Sequence, residues 1–296
     1  MTPQILDGKT MAQNLRSRIK ENIVQLGSKA APGLAVILVG DDAASSVYVN
    51  SKIKACHEVG IQSFEHRLAS TTSEEELIEL IEKLNNNKDV NGILVQLPLP
   101  KHMNEERVLA MVDFTKDVDG FHTVNAGLLS IGSDKAIIPC TPMGCMIMLR
   151  SVIDNFSGLN AVVIGRSNIV GKPMANLLLK ENCTVTIVHS RTKNIKEICQ
   201  NADILVAAVG VAEMVGTDYV KKGAYIIDVG INRIEDASKP KGYRLTGDVD
   251  FEAVAPKAAA ITPVPGGVGP MTIACLMLNT LICFCRQNNL PLPETY

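Results

Sequence analysis

The sequence predicts an α/β protein of two lobes separated by a cleft, the second lobe built on a mostly parallel sheet. Three observations carry this reading. Short apolar runs alternate with segments of helical periodicity along most of the chain, a proline pair near residue 140 interrupts that alternation, and a glycine-punctuated turn near residue 165 joins a strand to a helix. The 296 residues exceed the usual size of one domain and supply material for two cores.

In the first half, Thr10 to Leu26 carries apolar residues at helical spacing, and Gly33 to Val39 is a continuous apolar run of the kind parallel strands show. A helix over Ser46 to Val59 and a strand near Gln62 to Arg67 follow. Ser73-Glu74-Glu75-Glu76 has the capping-box pattern, opening a helix to about Asn85, and Gly92 to Gln96 is the next strand. Helices between strands imply right-handed crossovers and a parallel sheet. The second half predicts a helix around Gly144 to Asp154, a strand Ala161 to Ile164 and a helix from about Gly171. Strands Thr184 to Val188, Ile204 to Ala208, Tyr225 to Val229 and Ala258 to Thr262 complete it. The expected boundary is Pro139-Cys140-Thr141-Pro142, where two prolines interrupt secondary structure, giving lobes 1–139 and 140–269. A last segment, about 270–296, returns to the first lobe. Its apolar stretch, Thr272 to Cys285, is about 14 residues long against the roughly 20 that a bilayer needs, so a buried helix is expected.

Composition excludes several classes of function. A formal charge of -2 with 20% charged and 46% hydrophobic residues offers no basic field for nucleic acid. The eight cysteines fall at irregular spacings without CxxC pairs or histidines at zinc-finger distances, so they are expected to be reduced, buried thiols rather than metal ligands. Met1-Thr2-Pro3-Gln4 lacks the basic-then-apolar pattern of a secretory signal, and the cytoplasm is the expected compartment, with no membrane partner.

The second lobe reads as a dinucleotide site of Rossmann type. After the strand Ala161 to Ile164 comes Gly165-Arg166-Ser167-Asn168-Ile169-Val170-Gly171, then a helix whose amino terminus offers unpaired N–H groups to a pyrophosphate. Ser167 stands where the usual GxGxxG motif has its second glycine. Alone, this segment also fits a sharp turn that needs glycine only for backbone shape. The next strand ends in His189-Ser190-Arg191-Thr192, where a site for NAD usually has a carboxylate. A hydroxyl and a guanidinium there, with Arg166 on the preceding turn, favour a 2′-phosphate and hence NADP. His189 receives no role. Gly210 and Gly230-Ile231-Asn232 follow strands, at the edge where a nicotinamide would rest.

In the first lobe, Tyr48 and Lys52 are one helical turn apart, about 6 Å along the axis. Such a pair alone is ordinary helix surface. Two further segments give it a purpose: Val95-Gln96-Leu97-Pro98 ends a buried strand in a polar amide, and Asp117-Val118-Asp119-Gly120 sets carboxylates in a tight turn. Residues just beyond strand carboxyl ends converge on the ligand crevice of an open parallel sheet. The segment Thr262 to Thr272, with Pro265, Gly266 and Gly267, combines fixed backbone with close approach to a flat ligand; it also fits a stiff hinge.

At these residues the chain resembles the bifunctional methylenetetrahydrofolate dehydrogenase and methenyltetrahydrofolate cyclohydrolase family. The similar stretches run from Tyr48 to Lys52 through GILVQLPLP, DVDGFH, PCTP, GRSNIVGKP, HSRT and VGIN to PVPGGVGPMT, nearly the whole chain. The resemblance implies a homodimer, with tetrahydrofolate substrates bound against NADP and a product that feeds purine, methionine, histidine and other amino-acid synthesis. The first lobe would then be the folate-binding catalytic domain. Lys52 would do acid–base work, since a lysine beside a cationic substrate and shielded from water loses its proton more easily than a free one. Gln96 would orient Lys52 and the attacking water, Asp119 would accept hydrogen bonds from the pterin ring, and Tyr48 would pack on the folate. Leu97, Pro265, Gly266 and Gly267 would line the substrate; Gly165, Arg166, Ser167, Ser190 and Ile231 would hold the cofactor. Phe114 and Met143 depart from the family pattern and leave local loop shape open. Two rivals stand beside this reading: a dehydrogenase of another small metabolite, such as a shikimate-type enzyme, and a nucleotide-binding scaffold that has lost its chemistry.

Overall fold

A computed structural model describes residues 2–27, 31–239 and 242–293. The chain divides into two compact units: one holds Gln13–Cys140 with the segment from Ile273 onward, the other the first twelve residues with Thr141–Thr272.

The chain opens with a short strand, β1 (Gln4–Ile5), and helix α1 (Gly8–Leu26). Strand β2 (Gly33–Val39) is buried at every residue, which is why it reads as an unbroken apolar run. Helix α2 (Ala43–Val59) starts where the Asp42 side chain accepts the Ser45 N–H, and it ends at Gly60 in the left-handed conformation. After β3 (Gln62–Leu68), α3 (Glu74–Asn86) begins with the full capping box that the sequence predicts: the Ser73 hydroxyl accepts the Glu76 N–H and the Glu76 carboxylate accepts the Ser73 N–H. Strand β4 (Gly92–Val95) follows, then two short helices absent from the sequence reading, α4 (Glu105–Ala110) and α5 (Thr123–Ser130). The three strands pair in parallel in the order β3-β2-β4. Ile37, Leu77, Ile81, Val95 and Val108 pack between the sheet and the helices beside it.

Helix α6 (Cys140–Arg150) corrects one expectation. Pro139 and Pro142 do not break structure; Pro142 lies in the first turn of a helix, where the missing N–H costs nothing. The helix therefore starts four residues before Gly144 and stops at Arg150, short of Asp154. Next come β5 (Asn160–Ile164), α7 (Gly171–Lys180), β6 (Thr184–Val188), α8 (Ile195–Cys199), β7 (Ile204–Ala207) and β8 (Tyr225–Asp228). Strands β9 (Asn232–Glu235) and β10 (Tyr243–Thr246) form an antiparallel hairpin, also absent from the sequence reading. Helix α9 (Phe251–Val254), β11 (Ala260–Ile261) and α10 (Val268–Gln287) complete the chain.

The second unit holds a six-stranded sheet in the order β1-β11-β8-β7-β5-β6, every pair parallel. From β5 the chain moves to one side for β6 and then crosses back to the other side for β7. The loops after β5 and β7 thus diverge at the strands' carboxyl ends, the usual ligand-binding point of a doubly wound sheet. Edge strand β1 belongs to this sheet, so residues 4–5 join the second unit and not the first lobe to which the sequence reading gave residues 1–139. The apolar segment Thr272 to Cys285 is helical as expected, with Met277, Leu281 and Phe284 buried in the first unit.

Candidate active site

In the first unit, α2 carries Tyr48 and Lys52 one turn apart. The backbone of Gln96 is anchored by its N–H to the Ile37 carbonyl at 2.9 Å, which extends the ladder one residue beyond β4. Its side chain is held at both ends: Nε2 donates to the Leu97 carbonyl at 2.6 Å, and Oε1 accepts from Lys52 Nζ at 2.9 Å. An ammonium only donates, so the amide oxygen is the end that meets it, and the Nε2 bond to Leu97 fixes the amide in that orientation.

The two carboxylates of the Asp117-Val118-Asp119 turn differ in kind. Asp117 is buried and accepts the Phe121 and His122 N–H groups and the Asn125 amide, so it shapes the turn. Gly120, at φ +70°, lets the turn lie against Ile137 and Pro139, where a Cβ would have no room. Asp119 is half-buried and accepts no hydrogen bond from the described residues. Burial pushes its carboxyl up to about 6, the charge of Lys52 pulls it back, and the charge of Asp117 adds to the rise. The acid is therefore mostly ionised at neutral pH with unused acceptor capacity.

Two residues that the sequence reading passed over stand beside this set. Asn279 of α10, with no exposed surface, donates to the Val118 carbonyl at 2.8 Å and the Ile138 carbonyl at 2.9 Å, clamping the chain on both sides of the turn; its Oδ1 is buried without a partner. The Cys140 thiol donates to the same Val118 carbonyl at 3.4 Å, and burial beside Asp119 holds it protonated. Neither has a local sequence signature, because Asn279 reaches its partner across 161 positions. Tyr48 is 43% exposed and makes no hydrogen bond to the other three. Leu97 packs on the core of the sheet with Phe64 and Leu68, while its carbonyl serves Gln96. Phe114 is exposed, and its carbonyl accepts from Asn125.

In the second unit, Gly165 sits at φ +124°, and a Cβ there would collide with the Ala208 carbonyl: glycine is required where the first residue after β5 abuts the first residue after β7, before the two loops part. Ser167 explains the missing second glycine. Its hydroxyl accepts the Val170 and Gly171 N–H groups at 3.1 and 3.2 Å, so the start of α7 is capped from within the loop. This corrects the expectation of wholly unpaired N–H groups at that helix terminus. Arg166 and Asn168 are exposed beside it. The HSRT segment is a turn closed by its first and last residues: Thr192 Oγ1 accepts the His189 N–H, and His189 Nδ1 accepts the Arg191 N–H. Ser190 and Arg191 are left exposed, and His189 acquires a structural role. Gly210 and Ile231 are exposed at the same ends of β7 and β8. In the loop before α10, Pro265 is exposed and Gly266 sits at φ +104°, whereas Gly267 is buried: a Cβ on it would collide with the Pro263 carbonyl, and a Cβ on Gly8 of α1 would collide with the Gly267 carbonyl.

A doubly wound parallel sheet with a glycine turn at its switch point, joined in one chain to a lysine–amide–carboxylate set, defines a nucleotide-dependent enzyme of small-molecule chemistry. The profile described as "Tetrahydrofolate dehydrogenase/cyclohydrolase, catalytic domain" matches residues 6–119, and "Tetrahydrofolate dehydrogenase/cyclohydrolase, NAD(P)-binding domain" matches residues 139–288. The chain belongs to the tetrahydrofolate dehydrogenase/cyclohydrolase family. It is 58% identical over 296 residues to the bifunctional protein FolD of Cereibacter sphaeroides, covering 99% of both chains. Among solved structures it is similar to the bifunctional FolD enzyme of Campylobacter jejuni, at 45% identity and a TM-score of 0.92 over 97% of this chain and 99% of that one. It is also similar to the Trypanosoma brucei dehydrogenase–cyclohydrolase complexed with NADP and an inhibitor, at 38% identity and a TM-score of 0.92 over 97% and 98%. The protein is accordingly a bifunctional folate enzyme: it oxidises 5,10-methylenetetrahydrofolate to 5,10-methenyltetrahydrofolate and hydrolyses that product to 10-formyltetrahydrofolate. The catalytic-domain match disposes of the shikimate-type alternative, which accounted for the nucleotide unit alone.

Proposed function

We propose that Lys52, held by Gln96, moves the protons of the cyclohydrolase step, that Asp119 binds the pterin, and that the redox partner is NADP. The observation that carries this reading is the 2.9 Å contact from Lys52 Nζ to Gln96 Oε1, with the ionised Asp119 close enough to feel the lysine's charge. Hydrolysis adds water to the methenyl carbon. The nitrogen that leaves as the ring opens must gain a proton, and the attacking water must lose one. Lys52 takes the acid–base role, while the Gln96 amide, pinned by Leu97, fixes the direction of the lysine. The two oxygens of Asp119 accept from the pterin ring N–H and amino group. The exposed ring of Tyr48 packs on the aromatic part of the folate, and Leu97, whose carbonyl holds Gln96, borders the substrate beside it.

The residues of the second unit fit the dinucleotide. Gly165 allows close backbone approach, Ser167 shapes the turn, Ile231 offers an apolar surface, and Arg166 with Ser190 supplies a cation and a hydroxyl for a 2′-phosphate. Held there by these residues, the cofactor would supply the hydride acceptor for the methylene carbon. The chain's part in that step is positioning. The enzyme works in the cytoplasm, a reading supported by eight cysteines that are all buried free thiols, and as a homodimer, which the family resemblance alone implies.

Purified protein given methylenetetrahydrofolate and each nicotinamide cofactor in turn tests the reading. Faster reduction of NADP⁺ than of NAD⁺ is expected, and equal rates refute the 2′-phosphate assignment. Arg166→Ala combined with Ser190→Ala should raise KM for NADP⁺ by ~10–100-fold, the worth of one or two charge-assisted hydrogen bonds, and leave KM for NAD⁺ nearly unchanged.

The pH dependence follows from Asp119. Only its ionised form accepts from pterin donors, and its carboxyl loses that form as pH falls through about 6. KM for methenyltetrahydrofolate in the hydrolysis assay should therefore climb on the acid side with a midpoint near 6. A KM that stays flat well below that pH would remove the carboxylate from substrate binding.

A further inference from the structure

Beneath the loops that follow β7 and β8 lie two carboxylates that the reaction scheme does not use. Asp248 has no exposed surface. Its Oδ2 accepts the Val209 N–H at 2.7 Å and the Gly210 N–H at 3.0 Å, and its Oδ1 accepts the Val211 N–H at 3.0 Å and the Asn232 amide at 2.9 Å. Three successive backbone donors of one loop thus converge on a single side chain, and a fourth donor comes from the first residue of β9. Asp228 lies next to it. It accepts the Gly230 and Asp248 N–H groups at 3.0 and 2.9 Å and the Val249 N–H at 2.9 Å, while its own N–H donates to Thr262 Oγ1 at 2.8 Å. The glycines at 230 and 247 are needed for this packing, since a Cβ at either would collide with a carboxylate of the pair.

Burying a carboxylate is costly, and here the compensation comes from N–H dipoles: no lysine, arginine or histidine pairs with either acid among the described residues. Burial pushes the carboxyl of Asp228 up to about 7, in keeping with that cost. The arrangement aims the N–H groups of residues 209–211 inward and leaves Gly210 and Val211 exposed, as Ile231 is after β8. A loop with a glycine at φ +68° would otherwise have many conformations.

We propose that Asp248 is a positioning residue for the dehydrogenase reaction: by locking the inward face of the Val209–Val211 loop and of Asn232, it pre-shapes the surface that receives the nicotinamide end of the cofactor. This rests on the proposed assignment of Gly210 and Ile231 to that end. It acts through the loop and touches neither substrate nor cofactor.

Asp248→Asn replaces one acceptor oxygen with an NH2 group facing backbone donors, which must push part of the loop away. The two activities of this enzyme separate a positioning role from general destabilisation, because hydrolysis of methenyltetrahydrofolate consumes no cofactor. The variant should raise KM for the cofactor at least ~10-fold in the dehydrogenase assay, with kcat/KM for hydrolysis within about 2-fold of the parent. Asn232→Ala, which removes one of the four donors, should give a smaller rise in the same direction and serves as the readout if the first variant does not fold. An unchanged cofactor KM in the folded variant, or an equal fall in both activities, overturns the proposal. The parent enzyme's preference between NADP⁺ and NAD⁺ tests the underlying cofactor reading separately, since the Asp248 comparison is made with whichever cofactor the parent uses.

Discussion

Lys52→Met should leave a folded protein that binds NADP and no longer hydrolyses methenyltetrahydrofolate, with kcat for that step down ~10³-fold, the usual worth of a positioned acid–base group. Methionine keeps the length and much of the apolar stem, so packing on α2 is preserved and only the ammonium is lost. Gln96 then has an oxygen without its donor, a modest cost for a half-buried amide. A second effect follows. The lysine's charge restrains the rise of the Asp119 carboxyl, so in the variant the acid limb of folate binding should move to higher pH than in the parent. Stopped assays of methenyltetrahydrofolate loss, with dehydrogenase turnover and melting temperature as controls, check both. Normal hydrolysis would take Lys52 out of the mechanism, and an unmoved acid limb would break its link to Asp119.

Asp119→Asn should weaken both activities through the substrate, with kcat/KM down ~30–150-fold for methylene- and methenyltetrahydrofolate alike, because an acceptor pair is replaced by one acceptor and one donor group facing the pterin's donors. Stability should move the other way. A carboxyl raised from 3.8 to about 6 in the folded state binds more protons there than in the unfolded chain, so its ionised form costs stability above about 6. The neutral amide escapes that cost, and the variant should melt ~2–5 °C higher at alkaline pH. The gap should narrow as pH falls through 6 and close near the unfolded value of 3.8. Calorimetry across that range checks the sign: a variant less stable than the parent at high pH would contradict the assignment of burial as the dominant influence on this acid.

What the sequence could and could not disclose follows from how far each signal reaches. β2 was legible because a strand buried on both faces writes itself as an unbroken apolar run, and α3 because its capping box lies within four residues. The start of α6 was misread because a proline in the first turn of a helix looks, in sequence, like a proline that ends one. β1 is two exposed residues with no periodicity, and it exists because Gln4 and Ile5 find the edge of β11, some 256 positions away. The hairpin of β9 and β10 is short and half-exposed. At the site, Gln96 and Asp119 drew notice from their places after a buried strand and in a tight turn, and the structure joins Gln96 to Lys52. Tyr48, one turn from Lys52 on the same helix, is 43% exposed and makes no hydrogen bond to them. Asn279, Cys140 and Asp248 escaped because their partners are fixed by tertiary contact. For Asp248 there was a hint: Asp-Val-Asp occurs at 117–119 and again at 248–250, and in both the first aspartate collects backbone N–H groups.

The fate of the first dozen residues bears on how this enzyme can be dissected. They supply the outer strand of the sheet formed mainly by Thr141–Thr272, while the rest of α1 continues into the companion unit and α10 carries the chain there once more. The polypeptide thus visits one body, then its neighbour, then the first again, before finishing in the second. No single scission yields two intact halves. A clone beginning at residue 141 would bare the backbone rim of β11, the kind of sticky border that invites aggregation, so a self-sufficient nucleotide module would have to carry the amino-terminal ribbon grafted back in place.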